Sequence, residues 1–380
     1  MPLSATSSDI RTANKRRVLH TVYSQKEISK QRLSQVLSMS LPTVTQNLKE
    51  IEALGLIERR GLYESTGGRK AHIYRFVSNA RIALGVVLLK DFYRIVAVDL
   101  YGTVLTSKRI SLPFSQTDAY FQRLGEELRT FTYEISESLQ IPCQGKILGV
   151  SIAIQGLVSN DGTTVVYGEI LGCTGLKLKE IQRFIDFPCT LIHDTEASAI
   201  GEMWFRNNKT DAVLLALNRN FGGALIVDGE VHRGWEFSSS VMEHIRLYPE
   251  GRLCYCGKKG CMEAYCSAYA LQKTAGEPLE QFFPAMRSGS QNRVTIWSHY
   301  LRDLAVGINN IRMLFDCEYI IGGYLHQFME EADFSLLAQF AKEECSFPST
   351  DIRLTHSAFM DDSAAPGAGI LLIKNFLKSC

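Results

Sequence analysis

The sequence predicts an α/β protein in which a short helical domain with a β-hairpin precedes a body of two similar α/β layers. Three observations predict this. Charge is divided unevenly along the 380 residues: up to Ala80 there are 13 Lys/Arg against 6 Asp/Glu, while the remainder holds 28 against 34, so a formal charge of +1 hides a basic head on a mildly acidic body. Hydrophobic spacing changes at Arg81, from helical in the head to alternating strands and helices beyond it. And the stretch Cys254-Tyr255-Cys256-Gly257-Lys258-Lys259-Gly260-Cys261-Met262-Glu263 gathers three cysteines, with His244 ten residues before the first of them.

A hydrophobic content of 46% suffices for substantial cores, and this length corresponds to roughly two to three domains. There is no run of apolar residues long enough to span a bilayer, and Met1 to Arg17 is polar, without a signal-peptide core, so neither membrane insertion nor secretion is expected. The remaining cysteines (Cys143, Cys173, Cys189, Cys266, Cys317, Cys345, Cys380) are scattered without a disulfide framework, which suits a reducing, cytoplasmic setting.

In the head, Asn14 to Tyr23 places Val18, Leu19 and Val22 at helical spacing, and Ser29 to Leu37 does the same with Leu33, Val36 and Leu37. Ser38-Met39-Ser40 is a tight connection. Leu41 to Leu54 then reads as a third helix, with Pro42 in its first turn and Val44, Leu48, Ile51 and Leu54 on the apolar side. Thr43, Thr45, Gln46, Asn47 and Lys49 are left for its other faces, residue types that hydrogen-bond to phosphates and base edges. Gly55 stops the helix, a strand starts at Leu56, and Ser65-Thr66-Gly67-Gly68-Arg69-Lys70 makes a basic hairpin tip before Ala71 to Phe76 returns. Helix, helix-turn-helix and basic wing, over residues 1–80, describe a winged helix-turn-helix that binds double-stranded DNA, with Arg69 and Lys70 at the wing tip.

The body starts with three strands, Ile82 to Leu89, Arg94 to Leu100 and Thr103 to Ile110, the last two joined by a Tyr101-Gly102 turn. Phe121 to Leu139 reads as a long helix, Ile147 to Ile154 as a buried strand, Cys189 to Ile192 as another that ends at His193-Asp194, and Thr195 to Phe205 as a helix. A second set follows: strands at Ala212 to Leu217, Gly223 to Val227 and Glu230 to His232, a long helix at Gln291 to Phe315, then Cys317 to Ile321 and a Gly322-Gly323 turn. Residues 81–195 with a C-terminal helix at 364–380 form the first expected lobe and residues 196–363 the second, with a cleft between.

His244, Cys254, Cys256 and Cys261 supply four soft ligands, and Gly257 and Gly260 let a short loop wrap one ion. A closed four-ligand shell is the pattern of structural zinc, since catalytic zinc keeps a position open for water. That leaves a zinc-dependent hydrolase without support.

The order winged helix, α/β lobe, strand ending in Asp194, Asp228-Gly229 hairpin, His244, cysteine loop with Glu263 and Gly322-Gly323 turn resembles the ROK family, which unites sugar kinases with sugar-responsive transcriptional repressors. The Ser65-Thr66-Gly67-Gly68-Arg69 wing is similar to that of the repressor branch. The resemblance implies a two-lobed actin-like, ribonuclease-H-like (sugar kinase) fold behind the DNA-binding domain, and a regulator of carbohydrate genes that acts as a homodimer or homotetramer. It also implies that nucleotide binding is lost. Family kinases carry an Asp-x-Gly-Gly-Thr loop where this chain has Val87-Leu88-Leu89-Lys90-Asp91, and a Gly-Thr-Gly loop where it has Leu217-Asn218-Arg219-Asn220-Phe221-Gly222-Gly223.

Contacts to a sugar or sugar-derivative effector are implied for Asp194, His244 and Glu263. Asp194 keeps the position of the kinase general base, although His193-Asp194-Thr195-Glu196 lacks the flanking asparagines, and Asp194 could equally cap the following helix. In Ser240-Val241-Met242-Glu243-His244 the family's sugar-binding glutamate falls on Val241, unless Glu243 replaces it. An active carbohydrate kinase with a fused DNA-binding module is the alternative.

Overall fold

The computed structural model describes residues 7–62, 72–140, 142–143, 145–206, 210–235, 241–346, 351–360 and 362–380. The head contains α1 (Ser7–Gln25), β1 (Glu27–Ser29), α2 (Lys30–Leu37), α3 (Leu41–Ala53), β2 (Ile57–Leu62) and β3 (His72–Phe76). Both short helices are capped as their sequences suggest: Ser29 Oγ accepts from Arg32 N, and Ser40 Oγ accepts from Thr43 N with Pro42 in the first turn. Val18, Leu19, Val22, Leu33, Val44, Leu48 and Ile51 close the small core. β1 was not expected. Its three residues pair antiparallel with β3, giving the sheet order β1-β3-β2.

The body begins with β4 (Ile82–Leu88), β5 (Tyr93–Asp99), β6 (Val104–Ile110), α4 (Asp118–Leu139), β7 (Ile147–Ile154), β8 (Leu157–Val158), β9 (Val165–Tyr167), α5 (Leu178–Gln182), β10 (Cys189–His193) and α6 (Asp194–Phe205). It continues with β11 (Ala212–Leu217), β12 (Phe221–Val227), β13 (Glu230–Val231), α7 (Glu263–Cys266), α8 (Ala268–Ala275), α9 (Leu279–Arg287), α10 (Gln291–Arg312), β14 (Glu318–Gly322), α11 (Glu331–Glu343), β15 (Leu354–His356) and α12 (Ala364–Ser379).

The two large sheets share one topology. In the first, β5 pairs antiparallel with β4 and β6, while β7 lies parallel to β4 and β10 parallel to β7. In the second, β12 pairs antiparallel with β11 and β13, while β14 lies parallel to β11 and β15 parallel to β14. The sequence expectation of two similar α/β layers therefore holds down to strand order.

Helices α6 and α12 pack closely, and α12 also lies on the first sheet. Small residues make this possible. A Cβ on Gly85 of β4 would lie 1.8 Å from Ala365 O, and one on Gly367 of α12 would lie 1.8 Å from Ala197 O of α6. The apolar core of the head is continuous with this layer, since α1 to α3, β4, β5, α6 and α12 contribute to one buried cluster. At the seam the rings of Tyr23, Phe76 and Tyr101 lie 4.8 to 5.4 Å apart. Tyr23 Oη donates to Leu100 O (3.1 Å) and Tyr101 Oη donates to Tyr23 O (3.2 Å). Among the described residues, no helix is long and apolar enough to cross a membrane.

Candidate ligand cleft, metal loop and DNA-facing helix

The cleft lies at the ends of β7 and β10 of the first sheet and beside the β11–β12 turn of the second. Its walls include Gln155, Glu169, His193, Asp194, Asn218 and Glu243, around about 560 Å³ of space including the open mouth. Asp194 is the first residue of α6. Its Oδ1 accepts from Thr195 N (2.8 Å) and lies 3.2 Å from His193 Nε2. Burial raises the Asp194 pKa against the opposing pull of His193 and the Thr195 N–H. Asp194 thus faces the cleft and also accepts within its own first turn.

A short 3₁₀ turn at Met242–His244 sorts three neighbours into three roles. Met242 packs under β12, where its Sδ would lie 2.6 Å from a Cβ on Gly223. Glu243 joins the cleft wall, its carboxyl pushed up to about 8 by burial and, less strongly, by the charges of Glu263 and Asp194. His244 turns to the cysteines. The glutamate facing the cleft from this motif is therefore Glu243, displaced from the position that motif alignment assigned to Val241, although Val241 also lines the wall.

Glu263 and His244 are not among the lining residues. Glu263 sits beneath the wall, where Oε2 accepts from Phe221 N (2.6 Å) and Oε1 from Asn220 Nδ2 (2.9 Å). Burial lifts its pKa to about 7 against those donors. It holds Asn220 and Phe221, which do line the cleft. On His244, Nε2 lies 3.3 Å from Tyr255 Oη, and Tyr255 is the lining residue.

The two turns that stand where family kinases carry phosphate loops face each other. Asp91, in the β4–β5 turn, pairs with Arg219, in the β11–β12 turn, at 2.5 Å. Gly222 and Gly223 are closely packed: a Cβ on Gly222 would lie 2.4 Å from Thr195 Oγ1, and Met242 excludes one on Gly223. Asn218 Oδ1 accepts from Tyr324 N (2.8 Å), which ties this turn to the Gly322-Gly323 turn. A second contact between the lobes joins Arg233 to Asn160 (3.2 Å), and Arg233 also pairs with Glu196 in the first turn of α6.

The cysteine loop brings the four candidate metal ligands together. The donor atoms of His244, Cys254, Cys256 and Cys261 all lie within 4.8 Å of one another. Cys254 Sγ is 3.8 Å from His244 Nδ1 and Cys256 Sγ is 3.7 Å from Cys261 Sγ. Metal–sulfur bonds of about 2.3 Å at tetrahedral angles put sulfurs about 3.7 to 3.8 Å apart. Gly257 and Gly260 adopt φ of +79° and +78°, and a Cβ on Gly260 would meet Tyr248 O at 1.6 Å. Burial lowers the His244 pKa, favouring the neutral imidazole that ligates metal. Burial raises the Cys256 thiol, but hydrogen bonds led by the Lys258 N–H outweigh it and leave Cys256 below the ordinary thiol value.

In the head, Gln46 and Lys49 are exposed on α3, with Thr43 and Thr45 half-buried beside them. Asn47 is a correction. It is 4% exposed and its Nδ2 donates to Thr43 O (2.8 Å), because it lies three residues after Val44 and so on the stripe that faces the core. Arg69 and Lys70 lie outside the described residues.

The ROK family model matches residues 90–375. A ROK family transcriptional regulator described as a homolog of the E. coli MLC protein has a crystal structure that superposes with a TM-score of 0.77 at 25% identity, over 97% of this chain and 96% of that one. A ROK family glucokinase from Streptomyces griseus, solved with glucose and AMPPNP, gives a TM-score of 0.62 at 19% identity over 76% of this chain and 98% of its own, a likeness of fold. In sequence, the xylose repressor of Caldicellulosiruptor bescii is 24% identical over 293 residues, 76% of this chain and 71% of that protein. The DNA-binding transcriptional dual regulator NagC of Escherichia coli is 24% identical over 272 residues, 71% of this chain and 64% of its own. The chain is thus similar along nearly its whole length to a transcriptional regulator. With a duplicated α/β body, a His/Cys cluster of metal-binding geometry and a family model matched across most of its length, the chain belongs to the ROK family.

Proposed function

We propose that this protein is a DNA-binding transcriptional repressor of carbohydrate-metabolism genes. Its cleft binds a sugar or sugar derivative without phosphorylating it, its metal loop holds structural zinc, and it works as a homodimer or homotetramer on an operator. The observation that carries this reading is helix α6. Its first residue, Asp194, faces the cleft. Near its other end Trp204 Nε1 donates to Tyr101 O (2.8 Å), and Tyr101 packs against Tyr23 and Phe76 of the head. A helix is a stiff connector, so a ligand that binds one lobe arrangement better than another moves both ends of α6 together and shifts the paired heads on DNA.

Operator binding tests this. Asp194→Ala is expected to abolish the sugar's effect on DNA affinity while ligand-free affinity stays nearly unchanged. A sugar response that survives in Asp194→Ala would place the effector elsewhere. With Arg219 paired with Asp91 and no glycine in Val87 to Asp91 to let nucleotide phosphates approach the backbone amides, incubation with ATP and a sugar panel should give no turnover. A rate of about 1 per second or more would establish a kinase instead.

On the DNA side, Lys49→Ala should lower the salt dependence of operator affinity by about one unit of slope, as loss of one phosphate contact does. Gln46→Ala should relax sequence preference by about 1 to 3 kcal/mol at one base pair. Unchanged salt slope and unchanged preference in both variants would move the interface off α3.

A further inference from the structure

Beside the seam between head and body lies a second pocket, which shares no lining residue with the cleft. On α1, Arg16, Leu19, His20 and Tyr23 recur at three- and four-residue spacing and so share one face, and on α12 Lys374, Leu377 and Lys378 do the same. These two faces and Trp204 of α6 border about 700 Å³ of space including the open mouth, more than the cleft offers.

The lining is sorted by chemistry. Leu19 belongs to the buried cluster that joins head to body, and Tyr23, Trp204 and Leu377 pack against it, which gives the pocket an apolar floor. Tyr23 Oη donates to Leu100 O and Trp204 Nε1 to Tyr101 O, so the donors of both rings are used at the seam and what they bring to the pocket is ring carbon. The rim is basic. Arg16, Lys374 and Lys378 stand on it, His20 adds a further donor, and no acidic residue lines the pocket. Lys374 pairs with Glu230, and Lys378 Nζ lies 4.0 Å from the same carboxylate, while Arg16 has no carboxylate partner among the described residues. Like charge thus stands on both sides of the gap, from the head and from the body, and an anion between them would relieve it.

A neutral apolar molecule would leave those charges uncompensated, and an inorganic anion would leave the apolar floor wet. An organic anion whose flat body lies on the floor satisfies both requirements, by apolar burial and by charge-assisted hydrogen bonds. We propose that this pocket binds a small organic anion with a planar aromatic body, with Arg16 and Lys378 as counter-charges from opposite walls and Tyr23 and Trp204 as the floor. Such a ligand touches head and body at once, independently of whatever occupies the cleft.

Isothermal titration calorimetry on the full-length protein at neutral pH tests this with 2-naphthoate, its neutral isostere 2-naphthamide, and inorganic phosphate. The naphthoate is expected to bind at one site per chain, about tenfold or more tighter than the amide, and phosphate should give no measurable heat of binding. Arg16→Gln and Lys378→Gln, at exposed positions on the two walls, should each weaken the naphthoate about fivefold or more and leave the amide unchanged. Lys273→Gln, exposed on α8, controls for a general loss of positive charge and should leave the naphthoate unchanged. Equal affinity for acid and amide, phosphate binding as tight as that of the naphthoate, or naphthoate affinity unchanged in both wall variants overturns the proposal. Absence of naphthoate binding overturns it as well.

Discussion

Cys256→Ser is expected to release the bound metal and to lower the melting temperature by about 10 °C, a loss of about 3 to 5 kcal/mol in a domain of this size. A serine hydroxyl is not deprotonated at neutral pH and is a poor ligand for a thiophilic ion, so three ligands remain where four closed the shell. The loop contains no strand or helix between residues 246 and 261 to order it. Its backbone makes two isolated bridges, Arg246 with Cys261 and Leu253 with Lys259, and turn hydrogen bonds such as Cys254 N to Lys258 O (2.8 Å) and Gly260 N to Arg252 O (2.8 Å), and Leu253 is 72% exposed. The disturbance should spread to the cleft, because Glu263, two residues after Cys261, holds Phe221 and Asn220 in the wall. Elemental analysis and thermal unfolding, with and without chelator, measure both effects, and Cys317→Ser, outside the cluster, serves as control. A Cys256→Ser protein that keeps about one zinc per chain and its parent melting temperature would remove the metal assignment.

Gly367→Ala is expected to be comparably damaging, at about 3 to 5 kcal/mol, although alanine in a helix ordinarily gains about 1 kcal/mol over glycine. The added Cβ would lie 1.8 Å from Ala197 O and 2.6 Å from Ala197 C, both backbone atoms of α6 that cannot rotate aside. α12 cannot slide away cheaply, because it is pinned on its other side, where Ala365 O approaches Gly85 just as closely. Denaturant unfolding measures the loss. Lys378→Ala, exposed near the end of the same helix, controls for helix effects, and a Gly367→Ala midpoint equivalent to less than about 1 kcal/mol would show that the two helices can separate without penalty.

Periodicity made most of the architecture legible. The strands at Ile147 to Ile154 and Ala212 to Leu217 are where alternation and apolar runs place them, and α2 and α3 start at their serine caps. Most elements too short for a period were not legible, β13 beside its Asp228-Gly229 turn being an exception. β1 has three residues, and β8 and β9 form a two-stranded patch of two and three. α8, α9 and α11 also escaped, lying between the cysteine loop and β15, where α9 contains Pro284 and the apolar pattern is interrupted.

The clustering of the four candidate metal ligands was legible because the chemistry is local: the three thiols are close in sequence and the imidazole only ten residues away. The cleft was harder. Glu243, Glu169 and Gln155 come from three separate segments, and only the fold brings them together. Motif alignment located Asp194 in the cleft, yet it could not show that Glu263 supports the wall from below or that Tyr255 stands between His244 and the cavity. Asn47 could have been placed from its own spacing, since residues three and four apart share a helix face and Val44 and Ile51 both point inward.

The hydrogen bond from Trp204 to Tyr101 at the seam has an optical consequence. The chain has three tryptophans, and they occupy three different surroundings. Trp235 is 95% exposed, Trp297 is buried with its indole N–H on Asp333 and its ring stacked on Tyr300, and Trp204 is half-buried where the body meets the head. Water-soluble quenchers extinguish the emission of the first, and the second reports only on the interior of its own lobe. What remains after quenching and subtraction is an unlabelled fluorophore at the joint between the two halves. A single-tryptophan version of the protein that keeps Trp204 would turn each docking or release of the head into a colour shift, readable on the stopped-flow timescale without any DNA present.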